Sequence, residues 1–181
     1  MGKLNFIVSG CCFIKMNYLF LDIDGVLNTG RYSDYLVENG LCETDEDGYL
    51  FDPEAVDWLQ YIIEKTEAKI IITSSWRLDG DMQALWRNRG LAGEVVGVTP
   101  TLPREKAIGK IKIFYAYRGM EIEAWLQDHA SEPYNYAILD DEDDYLETQA
   151  EHLVLTDPMT GITVDVAEKV IGILDNLCIS K

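Results

Sequence analysis

A doubly wound α/β fold, a parallel sheet with helices on both faces, is the architecture that the sequence predicts, and three observations predict it. Short apolar runs at 18–21, 69–72, 94–98, 134–139 and 152–155 alternate with amphipathic stretches of helical period. Alternation of that kind favours parallel pairing, because parallel neighbours need a crossover between them. The main polar clusters follow those runs directly, at the carboxyl ends where such sheets take up ligands. A length of 181 residues with 48% hydrophobic side chains suits one domain with a substantial core.

The chain opens on residues 1–15, expected to be an extension dispensable for the fold, with 16–181 as the single domain. Leu4–Phe13 is apolar but too short and too interrupted to span a bilayer. Val8-Ser9-Gly10-Cys11 resembles a lipoprotein cleavage site, yet the apolar run before it is roughly six residues, short of a secretory signal. Phe6 stands where a myristoylation pattern needs Ser or Thr. Cys11, Cys12, Cys42 and Cys178 show no Cys-x-x-Cys spacing, so free thiols in a reducing cytoplasm are expected. The net charge of −17 argues against a broad nucleic-acid or acidic-membrane surface.

Tyr18–Leu21 reads as a buried strand running straight into Asp22 and Asp24, with Gly25 turning the chain away. Carboxylates at i and i+2 of a strand point to one side, and burying both is costly unless a cation or proton relieves them. A divalent metal is the simplest relief, and Mg2+ favours carboxylate and phosphate oxygens. Asn28–Asp52 is polar and reads as a small flap, with a hairpin turn at Asp47-Gly48 between Leu41-Cys42 and Tyr49–Phe51. Asp52-Pro53 is a helix start with an N-cap and Pro at the first position. That helix is expected to reach Thr66 and to bury Val56, Leu59 and Ile63.

Lys69–Ile72 is a second buried strand, followed by Thr73-Ser74-Ser75-Trp76-Arg77. A helix over 81–88 stops at Gly90, and 94–98 is a third strand. Residues 99–117 read as a long connection, and 121–128 as a helix burying Ile122, Trp125 and Leu126. The fourth strand, 134–139, ends in Asp140-Asp141-Glu142-Asp143-Asp144, and 152–155 is a short fifth. A closing helix over 163–177 turns Val166, Val170, Ile173, Leu174 and Leu177 inward. His129 and His152 show no ligand spacing and read as structural or exposed, and Trp76 as core packing.

Asp22-x-Asp24, Thr73 after a strand, a basic residue, then Asp140-Asp141 after another strand together resemble the haloacid dehalogenase (HAD) superfamily of phosphohydrolases over about residues 17–178. Phe-Leu-Asp-Ile-Asp-Gly-Val-Leu-Asn, Ile-Thr-Ser-Ser-Trp-Arg, Glu-Ile-Glu-Ala-Trp-Leu and Leu-Asp-Asp-Glu-Asp-Asp also resemble the HAD domains of Swiss army knife RNA-repair proteins. The resemblance implies a Rossmann-like sheet with a minimal cap or flap. It implies Asp22 as nucleophile, forming an aspartyl-phosphate, and Asp24 as the acid and base. Mg2+ would be held by Asp22, the backbone carbonyl of Asp24 and Asp141, with Asp140 close behind. Thr73 would bind a phosphate oxygen, and Arg118 would balance charge on phosphate and on Asp22.

Lys106, Lys110 and Lys112 compete with Arg118 for that role. Ser74 and Arg77 are expected as further phosphate contacts, against the alternatives of a helix cap for Ser74 and a surface salt bridge for Arg77. Glu142 and Asp143 read as a solvated face, and Asp144 as a support for a site residue. Segment 104–118 carries Arg104, Lys106, Lys110, Lys112 and Arg118 among Phe114, Tyr115 and Tyr117, a strip suited to a phosphate-rich strand with stacked bases or to an ordinary solvated loop. The expected partner is therefore a phosphorylated small molecule, such as a sugar phosphate or mononucleotide, or a nucleic-acid end. No membrane and no obligate protein partner is expected. A catalytically silent binding module is the rival from another class, and the crowded carboxylates speak against it.

Overall fold

In the computed structural model, residues 15–102, 105–108, 111–114, 117–131 and 133–175 are described, with only the backbone of 105–108, 111–114 and Tyr117. The expectations for 1–14, for the side chains of the 104–117 strip, and for Leu177 and Cys178 lie outside the described residues.

The elements run β1 (Met16–Leu21), α1 (Gly30–Glu38), β2 (Thr44–Asp45), β3 (Gly48–Tyr49), α2 (Pro53–Thr66), β4 (Lys69–Ile72), α3 (Met82–Asn88) and β5 (Glu94–Val98). They continue with β6 (Glu105–Ile108), β7 (Ile111–Phe114), α4 (Tyr117–His129), β8 (Tyr134–Asp140), β9 (Leu153–Leu155) and α5 (Val164–Leu174). Five strands form one parallel sheet in the order β5-β4-β1-β8-β9. The period of two along β1 divides the core. Leu19 and Leu21 face α2, α3 and α5, while Tyr18 and Phe20 face Ile122, Trp125 and Leu126 of α4. The first strand is thus the centre of the sheet, covered on both sides, as a nearly continuous apolar run requires. No helix among the described residues is long and apolar enough to cross a membrane.

Several elements differ from expectation, each for a physical reason. The flap holds a helix, α1, which the sequence conceals because Leu36 is its only buried residue. Thr29 caps it, accepting from Tyr32 N at 3.2 Å. The hairpin is displaced: Thr44 pairs with Tyr49 and Asp45 with Gly48, so the turn is Glu46-Asp47. On α2 the buried stripe is Ala55, Leu59, Ile62 and Thr66, with Val56 and Ile63 at its half-buried margin. The long connection contains the antiparallel pair β6–β7, closing with Ile108 opposite Ile111. Gly109 between two runs containing Ile was the available signal. Helix α4 begins at Tyr117, so Arg118 lies inside its first turn, and α5 ends at Leu174 with Ile171 among its buried residues.

Candidate active site

Strand register brings the polar clusters together. Leu21 pairs with Ile72 on one side and Leu139 on the other, so the residues after each strand become neighbours. The ladder continues into them: Thr73 N donates to Leu21 O at 2.9 Å, and Asp22 N donates to Leu139 O at 3.0 Å. Asp22, Asp140 and Asp141 each offer an oxygen, and these oxygens all lie within 4.8 Å of one another.

Asp22 and Asp140 are almost completely buried, at 2% and 0% exposure. Arg118 reaches in from α4, with Nη1 against Asp140 Oδ2 and 3.2 Å from Asp22 Oδ1. Asp140 is further held by Tyr145, whose hydroxyl donates at 2.5 Å, and by Glu142 N at 2.8 Å. Burial pushes the Asp22 carboxyl up to about 7, the charge of Asp140 adds to the rise, and Arg118 and the Ile23 N–H oppose it. Asp141 is also raised, first by burial and then by Asp140. Burial disfavours the charge of Arg118, yet Asp22 and Asp140 outweigh it and hold the guanidinium above its ordinary value.

One guanidinium among three close carboxylates leaves the cluster short of positive charge. Thr73 Oγ1 is buried without a hydrogen-bond partner, which costs about 1–3 kcal/mol if nothing bound satisfies it, and Asp22 Oδ1 has only its ion pair with Arg118. An all-oxygen donor set short of positive charge fits a hard cation such as Mg2+.

The family described as "HAD domain in Swiss Army Knife RNA repair proteins" matches residues 18–167. The chain belongs to that HAD family. No individual curated protein matches it. Membership supports a hydrolase of the HAD type, and the parallel sheet and buried aspartates are those of a HAD domain.

Within this HAD domain the expected site residues divide. Asp22, Asp140, Asp141, Thr73 and Arg118 converge at the ends of β1, β4 and β8. Asp24 does not pair with Asp22 as a strand period would have it. The ladder ends with Asp22 N, and Val26, Leu27 and Asn28 all turn back on Ile23 O. The Asp24 carboxylate stands outside the aspartate triad and accepts from Asn28 Nδ2 at 2.7 Å and Trp76 Nε1 at 3.0 Å. Any share it has in a metal site therefore falls to its backbone carbonyl.

Ser74 is fully buried and caps the 3-10 turn 75–78, accepting from Trp76 N at 3.4 Å, so the capping alternative describes it. Arg77 forms neither the phosphate contact nor the surface salt bridge expected. Its Nε donates to Thr99 O, its Nη1 to Thr73 O and Ser74 O, and its Nη2 to Glu121, in a pair whose side chains are 6% and 4% exposed. The guanidinium supports the main chain beneath Thr73. Asp144 supports α4 through its carbonyl, which accepts from Gly119 N at 3.2 Å. His129 and His152 bond to main-chain carbonyls and stack on Trp125 and Tyr136. Tyr145, Asn28 and the indole N–H of Trp76 were missed as site groups, because each acts across the fold and no local spacing marks it.

Gly25 makes the aspartates' arrangement possible. Its φ is +67°, and a Cβ there would lie 2.4 Å from Asp141 Oδ2. Gly25→Ala is expected to cost about 1–2 kcal/mol from the left-handed backbone alone, and to displace Asp141. Thermal melts with and without Mg2+ test this: the variant should gain less from the ion than wild type does. An equal gain would mean that Asp141 is not a ligand.

Proposed function

We propose that this HAD domain is an Mg2+-dependent phosphomonoester hydrolase working through an aspartyl-phosphate on Asp22. The observation that carries the reading is the buried Asp22 carboxylate, set against Asp140, Asp141 and Arg118 at the end of the central strand.

Asp22, Asp141 and the Asp24 backbone carbonyl would hold Mg2+, with Asp140 behind them. The ion would supply positive charge that lets an anionic nucleophile approach an anionic phosphate. Thr73 Oγ1, buried and unpartnered, donates to a phosphoryl oxygen. Arg118 balances charge on Asp22 and on the phosphoryl group, and Tyr145 holds Asp140 in place. Asp22 attacks phosphorus while Asp24 gives a proton to the leaving oxygen. Asp24 then takes a proton from the water that releases phosphate from Asp22.

An aryl phosphate assay tests this. Turnover should require Mg2+ and vanish in EDTA, and Mg2+ at about 100 times its Kd should stabilise the protein by about 2.7 kcal/mol. Activity indifferent to EDTA ends the proposal.

The family's description, naming RNA-repair proteins, favours nucleic-acid ends as one substrate class. In the same assay a 3′-phosphorylated oligonucleotide should then outpace mononucleotides and sugar phosphates. Equal or slower turnover points to a small-metabolite phosphatase. A reducing, cytoplasmic setting is consistent with the free, exposed thiol of Cys42.

A further inference from the structure

We infer that Trp76 is a positioning residue for Asp24, holding its carboxyl group in the orientation from which it serves the leaving group. The inference rests on the phosphomonoesterase reading above. Trp76 Nε1 lies 3.0 Å from Asp24 Oδ1 and 3.1 Å from Oδ2. An indole has one N–H and no acceptor, so a single donor is shared between the two oxygens. Asn28 Nδ2 adds a second donor at Oδ1, at 2.7 Å. The amide is itself oriented, because Asn28 Oδ1 accepts from Gly25 N at 3.0 Å. The carboxylate is therefore held by two donors, the Asn28 amide at Oδ1 and the indole N–H across both oxygens, which together fix its orientation.

The indole is held from several sides. Trp76 lies in the 3-10 turn that Ser74 caps, three residues beyond Thr73. Its ring packs on Phe51 at 5.8 Å between centroids, and the Arg89 guanidinium sits 5.9 Å from the ring centre. The β2–β3 hairpin backs it closely: a Cβ on Gly48 would come 2.9 Å from the ring. Arg89 ties that hairpin down through Tyr49 O at 2.7 Å and Asp45 at 2.9 Å. The flap thus supports the proton donor through one aromatic side chain. The same indole walls a cleft of about 580 Å³, with Tyr49, Leu78 and Met82.

The chemistry balances around Asp24. As Asp22 bonds to phosphorus and the ester P–O bond breaks, the Asp24 proton passes to the leaving oxygen. When water displaces Asp22 from phosphorus, its proton goes to the Asp24 carboxylate. One phosphomonoester and one water become one alcohol and one phosphate, and Asp24 is protonated again. A placed acid matters most for a poor leaving group. An alkanol must leave protonated, whereas an acidic nitrophenol departs as its anion.

The test compares an alkyl phosphate with 4-nitrophenyl phosphate in Trp76→Phe, which keeps a ring and deletes the N–H. The alkyl kcat/KM should fall about tenfold or more while the aryl value changes less than about twofold. Leu174→Ala, a core truncation on α5 beside the amino end of β8, should leave the alkyl-to-aryl ratio alone. If the Phe variant does not fold, benzothienylalanine at position 76, which puts sulfur in place of N–H, carries the same comparison. Equal losses on both substrates, or none, overturn the inference. Asp24→Asn separates the two levels. If it depresses alkyl turnover selectively while Trp76→Phe does not, only the role of Trp76 falls. If wild type hydrolyses neither ester, or Asp24→Asn leaves the ratio unchanged, the underlying reading fails as well.

Discussion

Asp22→Asn is expected to abolish turnover, by about 10⁴-fold or more, and at the same time to make the metal-free protein more stable at pH 8. The two effects have one origin. In the folded, metal-free protein burial and Asp140 lift the Asp22 carboxyl to about 7, against about 3.9 in an unfolded chain. Between those values the folded state binds more protons than the unfolded state. The contribution of this group to stability is therefore greatest below about pH 4, declines as pH rises toward about 7, and stays low above that. The gap corresponds to about 4 kcal/mol.

Asparagine keeps the shape and never ionises. The variant should therefore melt higher than wild type at pH 8 without Mg2+, and nearly level with it at pH 4.5. Added Mg2+ should reverse the order, because only the carboxylate gains from a cation. Melting curves at two pH values, with EDTA or Mg2+, check every part. A variant less stable than wild type at pH 8 in EDTA would show that Asp22 is not strained by its neighbours.

Arg77→Met is expected to cost about 3–5 kcal/mol, since it leaves the Glu121 carboxylate buried without its counter-ion. The loss should appear as a lower denaturant midpoint. It should also reduce activity, because Nη1 of Arg77 supports the carbonyls of Thr73 and Ser74. Adding Glu121→Gln should recover part of the stability, with a coupling of about 1 kcal/mol or more across the double-mutant cycle. The recovery is partial because Thr73 O, Ser74 O and Thr99 O have still lost a donor. Unfolding free energies for Arg77→Met and wild type within about 1 kcal/mol would mean that water replaces the guanidinium at little cost.

These two residues mark the limits of what could be read from the chain. Asp22 was legible because an apolar run ending in Asp-Ile-Asp-Gly is a local pattern, and Asp140-Asp141 closes another such run. Strands β4 and β5 were legible to the residue, since runs of Ile and Val have few other ways to be buried. Arg77 looked like a substrate contact because it follows Thr73 and Ser74, but its partner Glu121 lies on α4, 44 positions away. Trp76 read as packing, and its ring does pack on Phe51. Only its N–H bond to Asp24, across 52 positions, gives it a part in the site. Helix α1 was hidden because it is short and polar on average and buries Leu36 alone, so its stretch read as a flap.

By itself, then, the sequence determined that five apolar strands alternate with helices in a parallel sheet, and which strand ends carry carboxylates. Those are consequences of short-range pattern: side-chain period, turn residues and capping. The tertiary structure alone decided that Asp22 meets Asp140 and Asp141 while the Asp24 side chain turns to Trp76 and Asn28, and that Arg118 faces the triad while Arg77 pairs with Glu121 and holds main-chain carbonyls. Strand register and helix placement make those choices. Each charged side chain takes the partner that the surrounding backbone delivers, and no local spacing encodes a partner that arrives from another strand.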